Sequence, residues 1–312
     1  MKIFYKTDIP EKYKSAALAI GNFDGVHLGH QKVFLKTKAL AKKEKIKFGI
    51  LTFTPLPVMF FNKKIKNYRL VSESQKLKLL KKNKVDFVIN IKFDKNFSKI
   101  SAEHFIKKII YKKLNVKLLA VSNNFKFGRN RKGNVNLLKK LSQEYGYKVL
   151  NISPYKNLKK LVSSTKIRKY LQKGKINLAN KLLSKTWFIE GTVRKGKQLG
   201  RKLGYRTCNI NIKNYILPKQ GIYAVKVLIE NERKIYGGVA YFGSRPTFGG
   251  NEIFLEINIF GIKKNLYNKK LKVYFLKFLR EDVKFKSSSQ LITQMNKDVI
   301  FAKKGLKAKL VL

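Results

Sequence analysis

At 312 residues and 36.2 kDa the chain is long for one domain and comfortable for two, and its 44% hydrophobic content excludes wholesale disorder. The formal net charge of +54 suggests a nucleic-acid reader, but only ten of its 71 basic residues are arginine, and the lysines are spread along the whole chain. Arginine is the usual reader of bases and phosphates, so this excess points to compositional drift. It would attract anionic nucleotides, is compatible with weak non-specific RNA binding, and implies no specific nucleic-acid partner.

In chain order, AALAI (16–20) predicts a buried strand that runs into a glycine-rich turn. From His27 to about Lys43, the positions Val33, Phe34, Thr37, Leu40 and Ala41 follow helical spacing. FGILTF (48–53) predicts a strand, 72–82 a helix and VDFVINI (85–91) a strand. SAEHFIKKIIYKKL (101–114) predicts a helix capped by Ser101. VKLLAVS (116–122) and YKVLNIS (147–153) are further strands around a helix near 135–145. Such alternation predicts a parallel, doubly wound α/β sheet with its site at the carboxyl ends of the strands. Two short helices, 163–173 and 175–184, close this half.

After Trp187 the period changes. WFIEGTVRK, GIYAVKVLIE, RKIYGGVAYFG, EIFLEINIF and KLKVYFLKFLR predict antiparallel strands forming a sheet or small barrel, with a closing helix over 287–309. The expected domains are therefore about 1–185, α/β, and about 186–312, β. The single cysteine, Cys208, excludes an intramolecular disulfide, and no window approaches the roughly 18 to 20 apolar residues of a spanning helix. With no apolar signal-like stretch at its start, the chain is expected to be cytoplasmic, off the membrane, and a monomer or weak oligomer.

GNFDGVHLGH (21–30) holds two of the three histidines. Its glycines allow a tight turn and close approach of a phosphate, and the following helix N-terminus favours an anion. His27 and His30, three apart, can project from one face of the first turn and donate to phosphate oxygens as charge develops. Alone, the pair would be two surface histidines or half of a metal site; in a strand–turn–helix setting the whole string favours phosphate chemistry. Asp24 serves either a metal or the turn itself. SSTKIR (163–168) offers the hydroxyls of Ser163, Ser164 and Thr165 and a bidentate clamp in Arg168.

HLGH resembles the HxGH signature of the nucleotidyl transferase superfamily, and SSTKIR resembles its second motif. With TFTPLP (52–57), SAEHF (101–105) and NFKFGRNRKGN (124–134) in order, the chain resembles the bifunctional bacterial riboflavin kinase/FAD synthetase family. The resemblance implies adenylylation of FMN by ATP, giving FAD and pyrophosphate, with Mg²⁺ shared by the phosphates. His27, His30, Ser164, Thr165 and Arg168 would hold the triphosphate, in a site that includes Gly21, Phe23, Asp24, Gly29, Asn124 and Ser163. Asn124 stands where many relatives carry aspartate, and Ser122 replaces a usual glycine.

GTVRKGKQLGRKLGYRTCNI (191–210) resembles the riboflavin kinase pattern, a glycine-rich loop leading into PTxN. Gly196, Thr207 and Asn209 would then bind ATP, and the last two its Mg²⁺. Arg206 replaces the family proline and Cys208 a small residue, which leaves open a chain that only adenylylates FMN. GSRPTF (243–248), LEINIF (255–260), LYNKKLKV (266–273) and LREDVKF (279–285) also match in order. Glu256 would be the base for the riboflavin 5′-hydroxyl, and Arg280 would contact the flavin. Alternation alone also allows Glu256 to be an ordinary solvent-facing residue on the polar side of its strand. The match runs from about residue 16 to about 300. An adenylyl transferase for another small phosphate would not need the second half, and a nucleic-acid module would not need SSTKIR or Glu256.

Overall fold

The computed structural model describes all residues except 158–159, 196–203, 213, 248–249, 263, 307–309 and 312, and no side chains at 157, 160, 211, 244–247 and 250–252. The chain divides into two compact units. The first comprises Met1–Lys66 and Glu73–Ser163; the second comprises Asn67–Ser72 and Ser164–Leu312.

The first unit is built on six parallel strands, β1 (Lys2–Phe4), β2 (Ala17–Ile20), β3 (Phe48–Thr54), β4 (Phe87–Lys92), β5 (Leu118–Ser122) and β6 (Lys148–Ile152), in the order β1-β4-β3-β2-β5-β6. Successive residues bury on opposite faces. Ala17, Ala19, Phe48, Ile50, Val88 and Ala120 pack with α1 (Leu28–Lys43) and the later helix α3 (Glu73–Lys82); α2 (Pro57–Phe61) lies between these helices in sequence. Leu18, Ile20, Leu51, Ile89, Leu119 and Val121 pack with the helices that follow β4. Both faces are covered, as an all-parallel sheet requires. The chain leaves β2 on one side for β3 and returns on the other for β5. The switch point therefore lies at the carboxyl ends of β2 and β5.

Past α4 (Lys95–Ser98), the Ser101 cap is present, with its Oγ accepting from His104 N at 3.0 Å. Only Ala102–His104 (α5) is α-helical, and Phe105–Lys113 winds as a π-helix. The buried residues come as doublets, Phe105 with Ile106 and Ile109 with Ile110, followed by Leu114. A repeat of four to five residues suits the wider turn, and Leu114 N bonds Ile109 O five residues back. α6 (Val135–Tyr145) leads to β6, and a short hairpin, β7 (Lys156–Asn157) and β8 (Lys160–Leu161), ends the unit.

The second unit opens with α7 (Ser164–Gln172) and α8 (Ile176–Leu183). Six antiparallel strands follow: β9 (Phe188–Arg194), β10 (Cys208–Asn211), β11 (Gly221–Ile229), β12 (Ile235–Thr247), β13 (Gly250–Ile259) and β14 (Lys270–Arg280). They close into a barrel in the order β10-β13-β12-β11-β14-β9. Ile189, Val193, Val225, Leu255, Ile257, Val273 and Phe275 are among the fully buried residues of these strands. α9 (Ser288–Gly305) packs on β11, β12 and β14. Trp187, fully buried, packs its ring at a tilt against Phe275 at 4.9 Å and donates from its indole N–H to Leu70 O at 2.8 Å. The strap Asn67–Ser72 is further tied down by Arg69 N to Asn214 O (2.9 Å) and Ile216 N to Arg69 O (2.7 Å). The change of period near 186 marks the start of the barrel, while the division between units falls between Ser163 and Ser164.

Candidate active sites

The turn after β2 is held in an uncommon backbone path. Phe23, Gly25 and Val26 all have positive φ, at 47°, 83° and 42°. Gly25 adopts this freely, but Val26 is β-branched and wholly buried, so its conformation is sustained by its surroundings. Gly21 N donates to Leu51 O at 3.1 Å, Val26 N to Phe23 O at 3.2 Å, and Gln31 Nε2 to Val26 O at 3.0 Å. Asp24 is buried in the middle of the turn.

The path delivers His27 to the N-cap of α1, where its Nδ1 accepts from His30 N at 3.4 Å. In the neutral ring an accepting Nδ1 puts the proton on Nε2, which makes Nε2 a donor. The two imidazoles are stacked, 3.6 Å between centroids and 19° between planes, and Phe23 meets His30 edge-on at 5.2 Å. Gly29 is there for clearance: a Cβ would stand 3.1 Å from His27 Nδ1 and Cε1 and 3.4 Å from Val162 O. At the other side of the switch point, Ser122 Oγ ends β5 and donates to Asn124 Oδ1 at 2.9 Å, on an exposed loop.

Of the second motif, Ser163 is the last residue of the first unit, and Ser164, Thr165 and Arg168 lie in α7 of the second. Arg168 is buried, its Nε donates to Tyr68 O at 2.8 Å, and its guanidinium lies 3.7 Å from the Tyr68 ring centroid. Both contacts fix the plane of the guanidinium.

In the barrel, register brings the kinase candidates together. Asn209 pairs directly with Glu256, and Thr207 Oγ1 donates to Glu256 Oε1 at 2.6 Å. Leu255, Ile257 and Ile259 point into the barrel, so Glu256 and Asn258 lie on its outer face. Tyr241 is opposite Glu256 on β12 and donates from its hydroxyl to Asp282 Oδ2 at 2.7 Å. Cys208 points the other way, into the barrel, where burial pushes its thiol up to about 12. Arg206, without the ring of a proline, has its carbonyl held by Asn258 Nδ2 at 2.9 Å. Gly196 lies outside the described residues.

A family profile described as FAD synthetase matches residues 9–166, and one described as riboflavin kinase matches 183–306. A Buchnera aphidicola protein (from Schizaphis graminum) named bifunctional riboflavin kinase/FMN adenylyltransferase is 40% identical over 294 residues, covering 93% of this chain and 94% of its own. The Escherichia coli K12 protein of the same name is 33% identical over 290 residues, covering 93% and 92%. The chain belongs to the bifunctional riboflavin kinase/FMN adenylyltransferase family. Among solved structures, one named macrolide-efflux protein from Streptococcus pneumoniae superposes with a TM-score of 0.83 at 28% identity, covering 96% of this chain and 98% of that one. That likeness is of fold; no helix among the described residues is long and apolar enough to cross a membrane.

Within that family frame, two features stand apart from the motif reading. Arg280 makes a bidentate pair with Asp298 on α9, Nε to Oδ1 at 2.8 Å and Nη2 to Oδ2 at 2.7 Å, and its Nη1 donates to Glu281 O at 2.9 Å. This geometry ties β14 to the closing helix. The second is an aromatic group that the motifs do not name. Phe53, Phe60, Phe61, Phe93 and Phe97 contact one another ring to ring at 5.2–5.9 Å, at and beyond the carboxyl ends of β3 and β4. Phe61 is exposed and the others half-buried. The available signal was the run VMFF directly after the matched TFTPLP.

Proposed function

We infer that the chain makes FMN from riboflavin and FAD from FMN, using ATP in both steps. The observation that carries this is the presence in one chain of two matched families, with the adenylyl-transfer candidates from Gly21 to Thr165 inside 9–166, Arg168 two residues beyond it, and the kinase candidates from Gly196 to Arg280 inside 183–306. The kinase is assigned to about 186–312 and the adenylyltransferase to about 1–185.

In the kinase step Glu256 takes the proton from the riboflavin 5′-hydroxyl as that oxygen attacks the γ-phosphorus of ATP; the bond to the β-phosphate oxygen breaks and ADP leaves. Thr207 supports this by holding the carboxylate through Oε1. Thr207 and Asn209 offer neutral hard oxygens beside a carboxylate, a donor set that fits Mg²⁺ carried with the nucleotide. That ion would neutralise phosphate charge. The Arg206 carbonyl bond to Asn258 supplies by other means some of the order a proline would give, so nothing favours loss of the kinase.

In the second step a phosphate oxygen of FMN attacks the α-phosphorus of ATP and pyrophosphate leaves. His27 and His30 donate to the phosphate oxygens, helped by the amides at the start of α1. By the family pattern, Gly21, Phe23, Asp24, Gly29, Asn124 and Ser163 of the first unit belong to the adenylyl-transfer motifs, and Ser164, Thr165 and Arg168 carry the triphosphate-holding part of the second motif. The phenylalanine group supports a flavin platform, since flat aromatic ligands bind on half-exposed rings. Arg280 acts by fixing α9 against the barrel end where the flavin would lie.

The test is to incubate the purified chain with riboflavin, ATP and Mg²⁺, separate riboflavin, FMN and FAD over time, and repeat from FMN. FMN followed by FAD is expected. FAD only when FMN is supplied would remove the kinase assignment. Neither product from folded protein would overturn the reading.

A further inference from the structure

α3 buries a lysine where its packing calls for an apolar side chain. Lys76 is 2% exposed and ranks with Phe48 and Phe87 among the largest fully buried side chains. Lysine is almost never fully buried unless its charge is compensated, because removing an ammonium from water is costly.

The ammonium donates to Thr52 Oγ1 at 3.2 Å, and the Thr52 hydroxyl donates to Asn22 O at 3.3 Å. The chemistry sets the direction. An ammonium has no acceptor, so Thr52 must accept from Lys76, and its single proton is then directed to the Asn22 carbonyl. Asn22 is the second residue of the turn that passes through Phe23, Gly25 and Val26 to His27. Thr52 is wholly buried near the carboxyl end of β3, so its hydroxyl depends on these partners. A second polar chain lies at the same strand ends: Thr54 Oγ1 donates to Asn90 Oδ1 at 3.0 Å, and Asn90 Nδ2 donates to Glu73 Oε1, one turn before Lys76 on α3, at 2.5 Å.

We propose that Lys76 is a positioning residue for adenylyl transfer, which fixes the phosphate turn through Thr52. This rests on the assignment of that turn to adenylyl transfer. Lys76 acts through the backbone of the turn and the placing of His27 and His30.

The experiment compares the full chain with Lys76→Met, Thr52→Val and the double variant, measuring kcat and KM for FAD formation from FMN, and FMN formation from riboflavin as a control in the same molecule. Misplacing reacting groups by about 1 Å costs roughly 100-fold. Lys76→Met is therefore expected to lower kcat for FAD formation on the order of 10- to 100-fold with a smaller change in KM, and to leave FMN formation within about twofold. Thr52→Val should fall in the same direction, and the double variant should match Lys76→Met alone, because the two residues act in series. Unchanged FAD formation in Lys76→Met, or losses that multiply in the double variant, would overturn the proposal. If Lys76→Met does not fold, Thr52→Val decides: unchanged kcat there overturns it equally. An unsubstituted chain that makes no FAD would instead remove the assignment of the turn.

Discussion

The proposed phosphate turn of the first unit and the Glu256 face of the second are built on opposite principles. The turn places three positive-φ residues within four positions and seats two imidazoles in contact, so its geometry is stored in backbone conformation. The Glu256 face stores nothing unusual: Thr207, Asn209 and Glu256 meet because two extended strands pair in one register. The first should therefore be sensitive to small steric changes that the second would absorb, and the second should fail chiefly when a functional group itself is removed.

The sharpest division comes from Glu256→Gln, which keeps shape and removes the proposed base. FMN formation should fall roughly 100- to 10,000-fold while FAD formation from added FMN stays near its starting rate, checked by chromatography of both products. His30→Ala should do the reverse: a loss of about 100- to 1,000-fold in FAD formation with FMN formation kept, as for removal of one donor to developing charge. Loss of both activities together in either variant would end the picture of two independent sites.

A subtler break is Gly29→Ala. Its methyl group would crowd the His27 ring at 3.1 Å and the Val162 carbonyl at 3.4 Å. A displacement of a few tenths of an ångström is enough to cost about tenfold in FAD formation, read as kcat against KM. The smallest effect concerns Cys208. Burial raises its thiol from 9.0 to about 12, so the folded chain keeps a proton that the unfolded chain loses above pH 9. The stabilisation is full below pH 9 and is lost as pH rises towards about 12. Against Cys208→Ala, the native chain should lose on the order of 1 kcal/mol between pH 8 and pH 10, measured by urea unfolding.

Much of this was legible before any coordinates, and for definite reasons. The strand–helix alternation of the first half and the period-two strands after Trp187 are direct imprints of burial, and both sheets follow them. GNFDGVHLGH was legible because few other chemistries need glycines, a strand end and two histidines so close together. Leu255, Ile257 and Ile259 fixed the face of Glu256 in advance. What stayed hidden depended on partners distant in sequence. Nothing around Arg280 announces Asp298, eighteen positions on, as its bidentate partner. Nothing in SESQKLKLL sets Lys76 apart from the other lysines, because its identity as a buried group is decided by Thr52 on another element. The π-helix was written as doublets of apolar residues, but their spacing is close enough to 3.6 to pass for an ordinary helix.

The strap Asn67–Ser72 makes the kinase half something other than a cassette. Its chain is split, with six residues supplied from far upstream. A fragment starting at the change of period would keep every strand of the barrel yet leave the buried Trp187 indole N–H without its acceptor on Leu70. Starting at Ser164 restores two helices but not that acceptor. Recombination or truncation that treats the two activities as beads on a string would therefore separate them at a cost to the barrel. The order in which the pieces are synthesised implies that the strap waits, already made, for the barrel it completes.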